Sequence, residues 1–138
     1  MEFPERYIRR GRFELHSGGV SDTFYDVNSL ITDKNYFDTI LDKVPKSRHY
    51  VGIATGGALI ALAASREYEV EFSMVKDKEL KGRVPKDDWV LIDDVVTTEG
   101  SLQDALKIIS LRPKEIFVVL DRRIPIYREL NLTSLFQV

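Results

Sequence analysis

Leu91-Ile92-Asp93-Asp94-Val95-Val96-Thr97-Thr98-Glu99-Gly100-Ser101 passes from an apolar run, through two adjacent acids, into a turn rich in hydroxyls. Trp89 to Ile92 is apolar throughout, as a strand covered on both faces must be. After the turn, Leu102, Ala105, Leu106 and Ile109 recur on one face of a helix predicted over Ser101 to Ser110. Two carboxylates at a strand's end suit the vicinal hydroxyls of a ribose. The N–H groups of the turn, the hydroxyls of Thr97, Thr98 and Ser101, and the positive end of the helix dipole suit a phosphate monoester. Diol and phosphate lie on one sugar. The bland alternative is that the acids simply end a strand and a threonine caps a helix, which fits either pair alone. The whole constellation after a buried strand favours the sugar phosphate. Neither GxxxxGK[ST] nor GxGxxG occurs in the chain.

Outward from this segment the same grammar repeats. Tyr50 to Ala54 predicts a strand, Thr55-Gly56-Gly57 a turn, and Ala58 to Glu67 a helix of small residues. Glu69 to Val75 alternates as a half-buried strand, Glu115 to Leu120 reads as a buried one, and Ser134 to Val138 as a last, edge strand. These units predict an α/β fold, an open, doubly wound, mostly parallel sheet whose ligands sit at the carboxyl ends of the strands. The first third reads as a small N-terminal cap: a short helix in Glu5 to Arg12, a strand at Thr23 to Val27, and a helix over Lys34 to Lys43. No repeat or linker divides the sequence. One domain is expected over residues 1–138, with 1–45 as cap and base-side region and 46–138 as core.

The 138 residues are 43% hydrophobic and 30% charged, the balance of a globular chain long enough for one core. A net charge of -2 argues against a nucleic-acid surface. The local exception is Lys76, Lys78, Lys81, Arg83 and Lys86, opposed only by Asp77 and Glu79. With no cysteine, and with His16 and His49 far apart, neither disulfides nor a protein-held metal are expected. No apolar run has membrane length and the amino terminus is charged, so a cytoplasmic protein without membrane partners is expected.

The segment Leu91 to Ser101 resembles the ribose-phosphate signature of type I phosphoribosyltransferases, and the rest of the chain is most similar to orotate phosphoribosyltransferases. Phe13-Glu14-Leu15-His16-Ser17-Gly18 and Ser21-Asp22-Thr23-Phe24-Tyr25-Asp26 resemble that family's amino-terminal pattern. Gly52-Ile53-Ala54-Thr55-Gly56-Gly57-Ala58 resembles its pyrophosphate loop, and Lys76 to Gly82 its lysine-rich stretch and mobile loop. The resemblance implies transfer of ribose 5-phosphate from phosphoribosyl pyrophosphate to orotate, with substrate-bound Mg2+, in a homodimer. It implies that Asp93, Asp94, Lys76 and Lys78 serve catalysis. Val95, Val96, Thr97, Thr98, Glu99, Gly100 and Ser101 would hold the phosphoribosyl group, and Thr55, Gly56, Gly57 and Lys81 the pyrophosphate. His16, Phe24, Tyr25 and Arg122 would hold the base, Phe24 and Tyr25 flanking its plane and Arg122 reaching its carboxylate.

The chain departs from the family's pattern at several positions. His16 and Val75 stand at the places of a Lys and an Arg, Glu79 falls at the loop Lys, and the segment between Gly82 and Asp93 is short. Glu99 stands where Gly is common, so its carboxylate is expected to point to solvent or to serve the helix start. The chain stops at Val138, short of a last helix. These departures keep open a non-catalytic regulatory homologue that binds phosphoribosyl pyrophosphate or a nucleotide, and, as a lesser option, a purine-base transferase.

Overall fold

The computed structural model describes residues 1–15 and 18–138; the expectation placed on His16 falls outside them. Eight strands and four α-helices follow in the order β1 (Ile8–Glu14), β2 (Val20–Tyr25), α1 (Val27–Thr32), α2 (Lys34–Lys43), β3 (His49–Ile53), α3 (Gly56–Tyr68), β4 (Glu71–Lys76), β5 (Glu79–Lys81), β6 (Val90–Val96), α4 (Gly100–Ile108), β7 (Glu115–Asp121) and β8 (Thr133–Gln137). The main sheet has the order β5-β4-β3-β6-β7-β8. All its pairings are parallel except the β4–β5 hairpin. The parallel sheet read from the sequence is therefore present, extended by a short antiparallel edge.

Why these strands occupy the centre follows from their side chains. Every residue of β3 is buried, as is all of β7 beyond Glu115. Burying each Val, Leu or Ile stabilises by about 1.5–3 kcal/mol, so such runs belong between two layers. One layer comprises α1, α2 and α3, whose Leu30, Ile40 and Ile60 pack with Tyr50, Ile92 and Phe117. On the other face α4 sets Leu102, Ala105 and Ile109 against Val51, Leu91 and Val118. Residues from the first 45 thus share the main core.

The amino-terminal expectation needs correction. Only Glu5–Tyr7 is helical, as one 3-10 turn, and Ile8–Glu14 is a strand paired antiparallel with β2. Tyr25 and Ile8 face each other across that ribbon, and both pack on the core. Tertiary pairing overrides the weak local preference of an Arg-rich stretch. A short helix, α1, also precedes α2. Asp26 caps α1 by accepting the Ser29 N–H at 3.1 Å, and Asp33 caps α2 by accepting that of Asn35 at 3.1 Å.

Two glycines fix how α3 meets the sheet. A Cβ on Gly57 would run into the Ile92 carbonyl oxygen and come within 2.8 Å of the Asp93 Cα, and one on Gly52 would strike the Gly57 carbonyl. Backbone faces backbone there, so nothing can yield. Gly57→Ala is expected to destabilise the fold by about 1–3 kcal/mol, the usual penalty of overpacking. Chemical denaturation checks this, and an unchanged midpoint would contradict the close approach.

Candidate active site

Because β3, β6 and β7 run parallel, their carboxyl ends open on one edge of the sheet. β3 leads to Thr55-Gly56-Gly57, β6 to the turn at 97–99, and β7 to Arg122. The paired acids stand at the middle of this edge. Asp93 is only 6% exposed, and its Oδ1 accepts the Asp94 N–H at 2.8 Å. Asp94, half-buried, accepts the Val95 N–H at 2.8 Å. Burial, reinforced by the hydrogen bond and the charge of Asp94, pushes the Asp93 carboxyl well above the usual carboxylate range.

The two carboxylates lean to different neighbours. Asp93 joins residues 95–102 in lining a cavity of about 60 Å³ at the start of α4. Asp94 lies against Gly56, where any Cβ would collide with its side chain. One acid therefore faces the turn before α4 and the other the first turn of α3. Around the cavity, Thr97, Thr98, Gly100 and Ser101 are exposed and no side chain caps the first turn of α4. Free N–H groups at a helix start, beside hydroxyls, form a ready anion site.

Glu99 does something the sequence reading did not anticipate. Its backbone has φ 68°, the left-handed region where Gly is favoured. Its side chain is buried rather than turned to solvent: Oε2 accepts from Arg123 Nη1 at 2.6 Å and from the Glu129 and Leu130 N–H groups at 3.0 and 2.9 Å. Arg123 in turn forks onto Asp121, with Nε to Oδ1 at 3.0 Å and Nη2 to Oδ2 at 2.8 Å. Burial pushes both carboxyls up. For Glu99, the hydrogen bonds from Leu130, Arg123, Gln103 and Glu129 outweigh burial, and for Asp121 those from Arg123 and its charge do, so both end below their usual range. The carboxylate, expected to point to solvent or to serve the helix start, is instead neutralised inside the protein by Arg123 and the amides of Glu129 and Leu130.

The basic hairpin joins the same edge. Ala54 N–H donates to the Val75 carbonyl at 2.9 Å, so Lys76, the last residue of β4, comes beside Thr55. Asp77 and Lys78 form a tight turn, both with positive φ, and β5 folds back on β4. The stretch resembling a mobile loop is a short hairpin here. The side chains of Lys76 and Lys78 are exposed, whereas Lys81 Nζ is held by Glu79 Oε2 at 2.7 Å.

On the base side, the Arg122 guanidinium carbon lies 4.7 Å from the Tyr25 ring centroid, a cation–π arrangement that brings two expected base-binding residues together. Phe24, next along the strand, points to the opposite face and packs on Phe13 at 5.5 Å between centroids. The two rings therefore do not flank one plane, correcting the picture of a paired clamp. Asp121 pairs with Arg123 rather than with its neighbour Arg122. The tandem Arg122-Arg123 was the available signal: beyond a strand end, successive side chains diverge, so one can face the site and the other the interior.

The fold is that of the type I phosphoribosyltransferases. Among solved structures, the chain matches orotate phosphoribosyltransferase from Aeropyrum pernix with a TM-score of 0.78 and 24% identity, covering 96% of this chain and 89% of that one. It matches adenine phosphoribosyltransferase from Thermoanaerobacter pseudethanolicus with a TM-score of 0.69 and 12% identity, covering 97% of each. At such identities these likenesses establish the fold alone. No family model matches the sequence. Curated relatives do: orotate phosphoribosyltransferase from Pyrococcus horikoshii is 34% identical over 139 residues, spanning 86% of this chain and 74% of that protein. The enzyme of the same name from Pyrococcus abyssi is 31% identical over 135 residues, spanning 83% and 74%. The chain belongs to the orotate phosphoribosyltransferase family.

Proposed function

We propose that this protein transfers the ribose 5-phosphate of phosphoribosyl pyrophosphate to orotate, giving orotidine 5-phosphate and pyrophosphate. The observation that carries this reading is the cavity shared by Asp93 and the turn before α4, with the second acid directed at the first turn of α3. In the reaction the bond from the anomeric carbon to a pyrophosphate oxygen breaks, a bond to an orotate ring nitrogen forms, and the proton of that nitrogen passes to the released pyrophosphate. Positive charge grows on the ribose. The carboxylates of Asp93 and Asp94 hold the ribose hydroxyls and oppose that charge, while Thr97, Thr98, Ser101 and the amides of Glu99 and Gly100 hold the 5-phosphate. Thr55, Gly56, Gly57, Lys76 and Lys78 receive pyrophosphate, and Arg122 beside Tyr25 meets the orotate carboxylate through its planar fork. Electrostatic positioning lowers the barrier, with no covalent protein intermediate required.

Among the described residues no cluster of three His, Cys, Asp or Glu is placed to hold a metal. The two hard carboxylates at the site suit a magnesium ion carried mainly by substrate oxygens. Bound in that way, magnesium supplies neutralisation of the pyrophosphate charge. A homodimer is proposed too, supported by the exposed Leu59 and Leu62 on α3, and its mass in sedimentation would decide it. No helix among the described residues is long and apolar enough to cross a membrane.

Titration with magnesium phosphoribosyl pyrophosphate by calorimetry, followed by addition of orotate, tests the function. Saturable binding and then release of pyrophosphate are expected. Binding without product on any base contradicts turnover, and product with adenine or hypoxanthine but not orotate contradicts the pyrimidine reading.

A further inference from the structure

We infer that Glu99, although it stands in the phosphate turn, is a positioning residue for the base: its carboxylate fastens the segment 123–130, and through it sets Arg122. The inference rests on the orotate reading above.

Two halves of Glu99 do different work. Its backbone, at φ 68°, adopts a shape that glycine takes without strain, so the turn's path does not need the side chain. That side chain, 3% exposed, reaches away from the cavity to three donors on the segment after β7: Arg123 Nη1, Glu129 N and Leu130 N. Gln103 Nε2 on α4 donates to its other oxygen at 3.3 Å. Arg123 completes the fastening by donating to the Leu130 carbonyl at 2.8 Å, which closes the segment into a loop. Arg122 immediately precedes Arg123 in the chain, its N–H tied to the Val96 carbonyl at 2.9 Å and its guanidinium over Tyr25. A bridge between the phosphate turn and the base-side arginine is therefore built from one carboxylate.

Burial of a charged cluster seldom adds stability over an apolar one, and its better-attested use is to fix one arrangement. Removing Glu99 still leaves Arg123 forked onto Asp121, a neutral pair, so the fold keeps its compensation while the segment loses its tether.

The test is steady-state kinetics on Glu99→Gly and Glu99→Gln, with orotate and phosphoribosyl pyrophosphate varied separately and folding verified by circular dichroism. For Glu99→Gly the KM for orotate is expected to rise about tenfold while that for phosphoribosyl pyrophosphate changes less than about threefold. Glu99→Gln, whose amide oxygen can still accept two of the three bonds, is expected to return orotate KM to within about threefold of the unaltered chain. Arg123→Lys keeps the charge and loses the fork, so it should show the same asymmetry and stands in if Glu99→Gly does not fold. An unchanged orotate KM in the untethered variants, or a parallel rise for both substrates, overturns the inference alone. No product from the unaltered chain with orotate overturns the functional reading and the inference with it.

Discussion

Asp93→Asn is expected to lower kcat by about 10²–10³-fold, the scale seen when one preorganised charge-stabilising group is lost, while raising the melting temperature at neutral pH. The two effects have one source. Asp93 is buried beside a second carboxylate, and its folded-state pKa lies well above the ordinary carboxylate range. Between the unfolded and folded values the folded chain holds the extra proton, so stability falls as pH rises through that window. Asparagine never ionises, and its Oδ1 can still accept the Asp94 N–H. The variant's advantage should shrink as pH is lowered and vanish below the unfolded value, where the native aspartate is protonated in both states. Melting curves across pH and initial rates check the pair of effects. A variant both less stable and inactive at pH 7 would show that Asp93 is structural.

Arg123→Met is expected to have the largest effect on stability, a loss of about 3–5 kcal/mol, because it leaves the carboxylates of Glu99 and Asp121 buried without their cation. Both now titrate below their ordinary values, so in the native chain they contribute stability that is present above the unfolded carboxylate pKa and lost as pH falls through the folded one. Without Arg123, Asp121 loses most of what holds it down and burial raises it, while Glu99 keeps only its amide and Gln103 bonds. The sign then reverses for Asp121, and the variant should gain stability as pH is lowered from neutral. Denaturant unfolding at several pH values measures this, and parallel pH profiles for the two chains would mean that the ion cluster carries little energy.

What was legible in the sequence follows the range of the interactions. The unit from β6 through α4 was readable because a doubly buried strand, a hydroxyl turn and an amphipathic helix are all local patterns, and α2 was found with its observed bounds for the same reason. β1 was misread as helix because Arg9, Arg10 and Arg12 have no strong preference, and only the distant β2 makes them a strand. β5 was missed because three residues carry no periodicity, although the turn at Asp77 and Lys78 decides it. The acids and the hydroxyl turn stand where the sequence placed them, at the end of a buried strand and the start of a helix. The partner of Glu99 was not legible, since Arg123 lies far along the chain and no spacing rule links them. The divergence of Phe24 and Tyr25 was legible, since both fall in the strand expected over Thr23 to Val27, where successive side chains alternate.

The central claim is that the acids at the end of β6 and the turn before α4 hold one ribose 5-phosphate. A crystal structure of the protein soaked with magnesium phosphoribosyl pyrophosphate tests it most directly. The account predicts the 5-phosphate within hydrogen-bond distance of the amides and hydroxyls of residues 97–101, with the ribose hydroxyls at Asp93 and Asp94. Ligand density elsewhere, with that turn empty, would contradict it.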